Sequence, residues 1–307
     1  MIEIIKVQHL CKTYKGITAV DDISFDVHEG EIFGMVGPNG AGKTTTIECI
    51  EGLRKPDAGS IRVLDMDPQS DNKTLRTRVG MQLQQSNLPD RLKVWEALDL
   101  YSTFYDSPVD WIKLLNQLGL EEKRDARFGK LSGGQKQRLF IALALLPNPN
   151  LVFLDELTTG LDPQARHTIW DLVRSVRDQG KTIYLTTHFM EEAERLCDRV
   201  AILDHGKIVA LDTPQALIRG LSENERVSFT LDTSITAEIQ KAFAALGKVE
   251  VQADKLTIIG QSTDAAQLVT SVVNLLTGLS LRYRDLRTEQ PTLEDVFLDL
   301  TGRQIRE

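Results

Sequence analysis

The segment GPNGAGKT, residues 37–44, constrains the fold of this chain more than any other feature of its sequence. It fits the pattern Gly-x-x-x-x-Gly-Lys-Ser/Thr, and it stands between the apolar stretch EIFGMV and the helix-like stretch TTIECIEGL. Glycines at these positions let backbone N–H groups turn toward an anion, and a helix start adds partial positive charge. A chain of this length contains the pattern by chance on the order of one time in a hundred. The segment therefore predicts a strand, a phosphate-binding loop and a helix, rather than a ligand-free glycine-rich turn.

Two side chains of this loop are expected to carry its chemistry. Lys43 is placed to hold the β and γ phosphates of a nucleoside triphosphate, and the Thr44 hydroxyl is placed to ligate Mg2+. The rest of the loop supplies backbone N–H groups and small side chains around the phosphates. These remaining loop residues are Gly37, Pro38, Asn39, Gly40, Ala41, Gly42 and Thr45.

A second motif, LVFLDE at residues 151–156, has the composition of a buried strand that ends in two acids. Asp155 is expected to reach the Mg2+ shell, and Glu156 can orient and polarise the attacking water. An acid pair at a strand end is by itself usually a solvated edge. After a phosphate loop it predicts the second half of a nucleotide site, as found in motors, kinases and GTPases alike.

The segment LSGGQ, residues 131–135, separates these classes. Five specified residues occur by accident in such a chain on the order of once in ten thousand. Ser132 and the two glycines open the helix-like stretch QKQRLFIALALL, so a hydroxyl and backbone amides are available to an anion. With this signature, residues 1 to about 215 resemble the nucleotide-binding domain of ATP-binding cassette (ABC) proteins.

The resemblance implies that ATP and Mg2+ are the ligands and that two copies of the chain form a homodimer. In that family two cassettes pack head to tail with two-fold symmetry. The signature residues Ser132, Gly133, Gly134 and Gln135 of one copy then face the ATP held by the phosphate loop of the other. Each of the two sites is completed by both chains.

Further residues match the family by position. Tyr14 resembles the aromatic residue that stacks on adenine, although an ordinary strand aromatic is the alternative. Asp162, in TTGLDP, resembles the aspartate that links the two sites, and His188, at the end of KTIYLTTH, resembles the histidine that contacts the γ phosphate. The family usually has proline after the acid pair; Leu157 stands there, and we expect activity to survive this departure.

One glutamine resembles the family residue that binds Mg2+ and senses the membrane partner. Gln84, in VGMQLQQS, is the predicted residue. Gln82 and Gln85 are alternatives, because the proline that usually precedes this glutamine is Leu83 here.

The predicted fold is α/β: a P-loop NTPase cassette with a mixed sheet core, an antiparallel β subdomain and a helical insert, followed by a small C-terminal α+β domain. We place the cassette at residues 1–220, with the insert at about 86–130, and a ferredoxin-like accessory domain at 225–307, with the linker at 221–225. The second domain shows the order strand, helix, strand, strand, helix, strand. Its candidate strands are 226–231, 249–253, 255–260 and 280–286, and its candidate helices are 235–246 and 263–277.

Charge and hydropathy restrict the partners. The formal net charge of -8 and an isoelectric point near 5.3 argue against nucleic acid. The longest apolar run, residues 139–146, is far shorter than the roughly 20 residues that span a bilayer. We therefore expect a cytoplasmic protein that is peripheral on the inner face of the cell membrane and acts on integral membrane permease subunits.

The ending QPTLEDVFLDLTGR resembles the stand-alone ATPase subunits of daunorubicin-resistance-type exporters. Its apolar stripe either caps the core of the small domain or docks on a partner; the stripe is Leu293, Val296, Phe297 and Leu300. The resemblance implies ATP-driven export through a separate permease. Three alternative functions are weighed against export. An importer subunit remains an alternative, although such subunits commonly carry an all-β C-terminal domain. A soluble remodelling ATPase would need a second cassette or a long coiled coil, and a regulatory module would not need the intact acid pair.

Overall fold

The computed structural model describes residues 2–82, 87–221, 226–252, 255–260 and 265–302. The described chain forms two compact units that divide between Pro214 and Gln215. The sequence placed the linker slightly later, at 221–225. Among the described residues, no helix combines the length and the apolar character that crossing a bilayer requires.

The first unit alternates strands and helices. Its strands are β1 Glu3–Tyr14, β2 Ile17–His28, β3 Ile32–Val36, β4 Ala58–Val63, β5 Val79–Gln82, β6 Leu151–Asp155, β7 Thr182–Thr187, β8 Arg199–Asp204 and β9 Lys207–Asp212. Its helices are α1 Lys43–Ile50, α2 Asn72–Arg76, α3 Val94–Ser102, α4 Trp111–Gln117, α5 Gly133–Leu145, α6 Pro163–Asp178 and α7 Met190–Leu196. Helix α8 Pro214–Gly220 begins at the division between the units.

A small antiparallel sheet has the strand order β2-β1-β4. Strands β1 and β2 form a hairpin whose two turn residues, Lys15 and Gly16, have φ angles of 47° and 85°. Positive φ at both positions is the geometry of the tight turn that suits twisted hairpins. The predicted antiparallel β subdomain is confirmed, and the hairpin places Tyr14 beside the turn.

The larger sheet has the order β5-β6-β7-β3-β8-β9, and it is parallel except for β9. Every residue of β3, β6 and β7 is buried, as expected for strands with helices on both faces. Aromatic rings fill the core beside these strands, with Phe25 and Phe33 stacked at 5.4 Å and Phe33 and Tyr184 at 5.7 Å. The carboxyl ends of β3, β7 and β6 therefore meet at one edge of the sheet.

The stretch from Val94 to Lys130 is helical, as predicted, and comprises α3, α4 and two short 3-10 turns. Helix α4 begins after Asp110, whose carboxylate accepts a hydrogen bond from the Ile112 N–H at 3.0 Å. Mixed sheet, antiparallel subdomain and helical insert together confirm the predicted fold class.

The second unit has a four-stranded antiparallel sheet in the order β11-β12-β10-β13. Its elements are β10 Arg226–Leu231, α9 Ala237–Phe243, β11 Gly247–Gln252, β12 Lys255–Gly260, α10 Ala265–Gly278, β13 Tyr283–Glu289 and α11 Leu293–Thr301. From β10 to β13 the element order is that of a ferredoxin-like unit. In α11, Leu293, Val296 and Phe297 are buried, whereas Leu300 is 47% exposed.

Strand β13 begins three residues later than the predicted start at 280. The backbone N–H of Ser280 donates to the Thr277 carbonyl, and that of Leu281 donates to the Leu276 carbonyl, each at 3.0 Å. Ser280 has a φ of 53°. The chain is still completing the C-terminal turn of α10 here, so the apolar pattern that favoured a strand belongs partly to the helix cap.

Candidate ATP-binding site

The loop between β3 and α1 requires glycine for steric reasons. Gly42, the residue before α1, has a φ of 109°, and a Cβ there would lie 2.3 Å from the Ala19 carbonyl oxygen. A Cβ on Gly37 would lie 2.2 Å from the Leu203 carbonyl oxygen. The backbone of this loop thus packs directly on two other backbone segments, and its shape is available only to glycine at these points.

Substituting Gly42 with alanine is expected to reduce the free energy of unfolding by about 2 to 4 kcal/mol, since left-handed strain and a steric clash add. Gly180→Ala is the matched control: its φ is 84°, and nothing lies within 4 Å of the added Cβ. We expect the control to cost about 1 kcal/mol from strain alone. Urea unfolding measures both values; equal losses would contradict the packing argument.

Lys43 begins α1, and its side chain folds back into the loop. Only 4% of the residue is exposed, and Nζ donates to the carbonyl oxygens of Gly37 at 2.8 Å and Pro38 at 3.1 Å. Burial lowers the pKa of Lys43, while the nearby charges of Glu156 and Asp155 oppose that shift. The ammonium group is therefore held inside the loop and faces the acid pair.

Asp155 ends β6 and is 4% exposed. The hydroxyl of Thr186, on the neighbouring strand β7, donates a hydrogen bond to its carboxylate. Burial raises the pKa of Asp155, the Thr186 hydrogen bond lowers it, and Glu156 and Lys43 act in opposite directions. Sequence reasoning missed Thr186; the polar pair that precedes His188 at the end of an apolar strand was the available signal.

The oxygen atoms at this point suit Mg2+. The Asp155 carboxylate is buried and close enough to Lys43 for their charges to interact, and Thr44 follows Lys43 on the first turn of α1. Mg2+ prefers oxygen ligands and usually takes only one or two from protein carboxylates, with substrate phosphates and water supplying the others. The donor set present therefore fits a metal ion that arrives with a nucleotide.

Glu156 follows β6 in a left-handed conformation, with a φ of 49°. Its backbone N–H donates to the Thr186 carbonyl at 3.1 Å, and its Oε1 lies 3.7 Å from Nδ1 of His188, which follows β7. The side chains of both residues are mostly buried, with 9% of Glu156 and 14% of His188 exposed. A non-glycine residue in this conformation is strained, and such strain is concentrated at functional sites.

The signature segment lies at a different place in the unit. Ser132 caps α5: its Oγ accepts from the Gln135 N–H at 3.3 Å, and the Gln135 Oε1 accepts from the Ser132 N–H at 3.0 Å. A Cβ on Gly133 would lie 3.1 Å from Leu161. Asp162 caps α6 by accepting from the Ala165 N–H at 2.8 Å. Ser132 and Asp162 are exposed, and their segments adjoin each other.

The structure thus brings Lys43, Asp155, Glu156 and His188 together at the carboxyl edge of the large sheet, and it brings Ser132 and its neighbours beside Asp162. The residues of both sets lie where a helix begins or a strand ends, so rigid elements hold the predicted side chains.

The predicted adenine-stacking residue has cationic neighbours. The Tyr14 ring centre lies 5.2 Å from the Arg54 guanidinium and 5.5 Å from the Lys12 ammonium, so both cations are within cation–π range. The predicted glutamine, Gln84, and its alternative Gln85 lie outside the described residues, while Gln82 ends β5 and is 4% exposed.

Glu51, the C-cap of α1, is a buried acid that the sequence did not single out. It is 1% exposed, and burial, with the charges of Asp155 and Glu48, raises its pKa to about 8. Between its ordinary value of 4.5 and about 8, only the folded state keeps this proton. The free energy of unfolding therefore falls as the pH rises through that window.

Replacing Glu51 with glutamine is expected to remove this pH dependence. At pH 8 the variant should be more stable than the wild type by on the order of 3 kcal/mol, with a much smaller difference at pH 5. Urea unfolding at the two pH values tests this, with the exposed acid of Glu3→Gln as the control. A difference that does not change with pH would show that Glu51 does not titrate as described.

The fold and this arrangement of side chains define a P-loop NTPase of the ATP-binding cassette class. A family model described as ABC transporter matches residues 20–159. Nod factor export ATP-binding protein I of Bradyrhizobium diazoefficiens is 41% identical over 303 residues, which cover 96% of this chain and 95% of that protein. The protein of the same name from Ralstonia nicotianae is 38% identical over 314 residues, covering 99% of this chain and 95% of that protein.

Among solved structures, a dimeric bacterial ABC transporter cassette superposes with a TM-score of 0.61 at 30% sequence identity, covering 68% of this chain and 98% of that chain. Together with the relatives, this likeness identifies the family. The chain belongs to the ATP-binding proteins of ABC transporters.

Proposed function

We propose that this protein hydrolyses MgATP between two copies of itself and thereby energises export through a separate membrane permease. The observation that carries the proposal is the meeting of Lys43, Asp155, Glu156 and His188 where neighbouring parallel strands end. One cation, a metal-suited carboxylate and a second acid beside a histidine are the groups that phosphoryl transfer to water requires.

In the proposed reaction, a water molecule held by Glu156 and His188 attacks the γ phosphorus in line with its bond to the bridging oxygen of the β phosphate. That bond breaks to give ADP and inorganic phosphate, and a proton of the water passes to Glu156. Glu156 accepts a hydrogen bond from that water, and the 3.7 Å between its Oε1 and His188 Nδ1 supports a single water in reach of both side chains. Lys43 exchanges its present carbonyl partners for phosphate oxygens. Thr44 and Asp155, with Gln84 as a further candidate ligand, would hold Mg2+, which would stabilise the negative charge of the phosphates.

The separate position of the signature supports a head-to-tail homodimer. Ser132 and Gly133 are exposed at the start of α5, next to Leu161 and the Asp162 cap, whereas the phosphate loop packs on Ala19 and Leu203. An anion-binding helix start that its own chain leaves exposed is available to a nucleotide held by a second copy. The solved relative that is described as dimeric supports a dimer, without specifying its arrangement.

Export is favoured by the relatives and by the second unit. The relatives that cover nearly all of this chain are named export ATP-binding proteins. The second unit is mixed α and β, unlike the all-β domain expected of an importer subunit. Exposed apolar side chains on the helical insert offer a surface for a cytoplasmic segment of a permease; they include Leu100, Phe104 and Ile112. The proposed location is the cytoplasmic face of the cell membrane.

Co-purification from native membranes in mild detergent tests the partner. A tagged wild-type chain is expected to recover a multi-span protein, and a Leu100→Ser/Phe104→Ser variant is expected to lose it. Ile17→Ser is the matched control, because Ile17 is an equally apolar and 74% exposed residue on the β1–β2 hairpin. ATPase activity without any recovered membrane protein would favour a soluble remodelling ATPase instead.

A further inference from the structure

Glu192, on α7, is a buried acid with no role in the proposed chemistry. It is 1% exposed, and its Oε1 accepts hydrogen bonds from the Thr158 hydroxyl and the Trp170 indole N–H, each at 2.9 Å. Burying a carboxylate is costly unless hydrogen bonds compensate it. An apolar side chain of the same size would fill this space without that cost, so the acid calls for an explanation beyond packing.

The hydrogen-bond donors to Glu192 come from two segments that are separate from its own helix. Burial raises the pKa of Glu192, and the hydrogen bonds from the side chains of Trp170 and Thr158 counteract the shift. Thr158 lies two residues after Glu156, and Glu192 itself lies four residues after His188. One carboxylate therefore connects the segment that carries the proposed water-activating acid with the segment that carries its histidine neighbour.

Further contacts hold the turn around His188. The Thr187 Oγ1 accepts a hydrogen bond from the Phe189 N–H at 3.0 Å, so the turn closes over His188. On its other side, the guanidinium of Arg166 lies 4.2 Å from the centre of the Phe189 ring. The charge of Arg166 also lowers the pKa of Glu192. The turn is therefore held by its own Thr187 hydrogen bond and by Arg166, and the charge of Arg166 also acts on Glu192.

We propose that Glu192 is a positioning residue that holds the Glu156 and His188 segments in register for attack on the γ phosphate. This inference rests on the proposed ATP hydrolysis. Glu192 acts through its hydrogen bond from Thr158 and through its own helix α7, which begins two residues after His188. A misplacement of about 1 Å in a catalytic group lowers a rate by about 100-fold. Loss of the hydrogen bond that connects these two segments should therefore lower kcat measurably.

Three variants test the proposed positioning role of Glu192. Glu192→Leu removes the acceptor, and we expect kcat for ATP hydrolysis to fall at least about 10-fold with KM for ATP changed less than about twofold. Glu192→Gln keeps an acceptor oxygen, so kcat should remain within about threefold of wild type. Glu191→Leu is the control: it is the neighbouring acid, its side chain is 56% exposed, and it pairs with Arg195, so activity should be unchanged.

A second measurement does not depend on turnover. Amide hydrogen exchange in residues 156–161 and 186–190 is expected to accelerate together in Glu192→Leu and to match the wild type in Glu192→Gln. A residue with a general structural role would instead lower the melting temperature and raise exchange across the whole cassette. That result, or wild-type kcat in Glu192→Leu, would overturn the proposal.

If Glu192→Leu fails to fold, Thr158→Val decides the question, because it removes one donor at nearly constant volume. A drop in kcat without a change in KM supports the positioning role of Glu192, and an unchanged kcat overturns it. A wild-type chain that hydrolyses no ATP would instead contradict the proposed function itself. The two failures are therefore distinguishable.

Discussion

Replacing Glu156 with glutamine is expected to lower kcat for ATP hydrolysis by about 10²- to 10⁴-fold, the usual contribution of a general base. Glutamine keeps the size of the side chain but loses the negative charge that polarises the attacking water. Glu156 is held in a left-handed conformation by its N–H bond to Thr186, and its Oε1 faces His188. Since Lys43 and the loop glycines are unchanged, ATP should still bind.

The Glu156→Gln variant should also accumulate as an ATP-bound homodimer, because the step that releases the two copies is blocked. Size-exclusion chromatography with and without MgATP measures this, alongside steady-state ATPase assays. Glu191→Gln, an exposed acid on α7, is the control and should behave as wild type. A Glu156→Gln protein that remains monomeric with MgATP would contradict the proposal that ATP joins two copies.

Replacing Lys43 with alanine is expected to weaken ATP binding and to lower kcat/KM by at least about 100-fold. Hydrogen bonds to charged groups contribute about 1.5 to 3 kcal/mol each, and Lys43 is placed to make them to both terminal phosphates. In the present structure its ammonium donates to the Gly37 and Pro38 carbonyls, which shows that the group is already held in the loop. Alanine leaves that space without a cation.

Titration with a fluorescent ATP analogue and steady-state kinetics measure the effect of Lys43→Ala. Lys207→Ala is the control, because Lys207 is an exposed lysine that pairs with Asp21 on the surface. Melting temperatures are compared so that a folding defect is recognised. Near wild-type affinity in Lys43→Ala would mean that the nucleotide does not lie in this loop.

Much of the site could be predicted because its residues are contiguous in sequence. The loop at 37–45, the acid pair at 155–156 and the signature at 131–135 are each a short segment with a local geometric requirement. Glycine at position 42 is one such requirement, since neither its φ nor its approach to Ala19 tolerates a side chain. A local backbone requirement of this kind can be recognised from consecutive residues of the sequence.

Two other features, the start of β13 and the pKa of Glu51, could not be predicted from consecutive residues. Strand β13 starts late because the N–H groups of Ser280 and Leu281 return to α10, which periodicity cannot distinguish from a strand start. The elevated pKa of Glu51 follows from burial at the end of α1 and from the nearby charge of Asp155, which is distant in sequence. The start of β13 and the pKa of Glu51 both depend on which groups lie close together in the folded chain.

The amino-acid sequence by itself determined the class of this protein, its phosphate loop, acid pair and signature, and the alternation of its strands and helices, because these depend on neighbouring residues and on local backbone geometry. Only the tertiary structure decided that Thr186 donates a hydrogen bond to Asp155 and that Thr158 donates one to Glu192. These contacts link residues about 30 positions apart across adjacent strands and helices. Chain folding brings them together, and burial gives their hydrogen bonds and charges energetic weight.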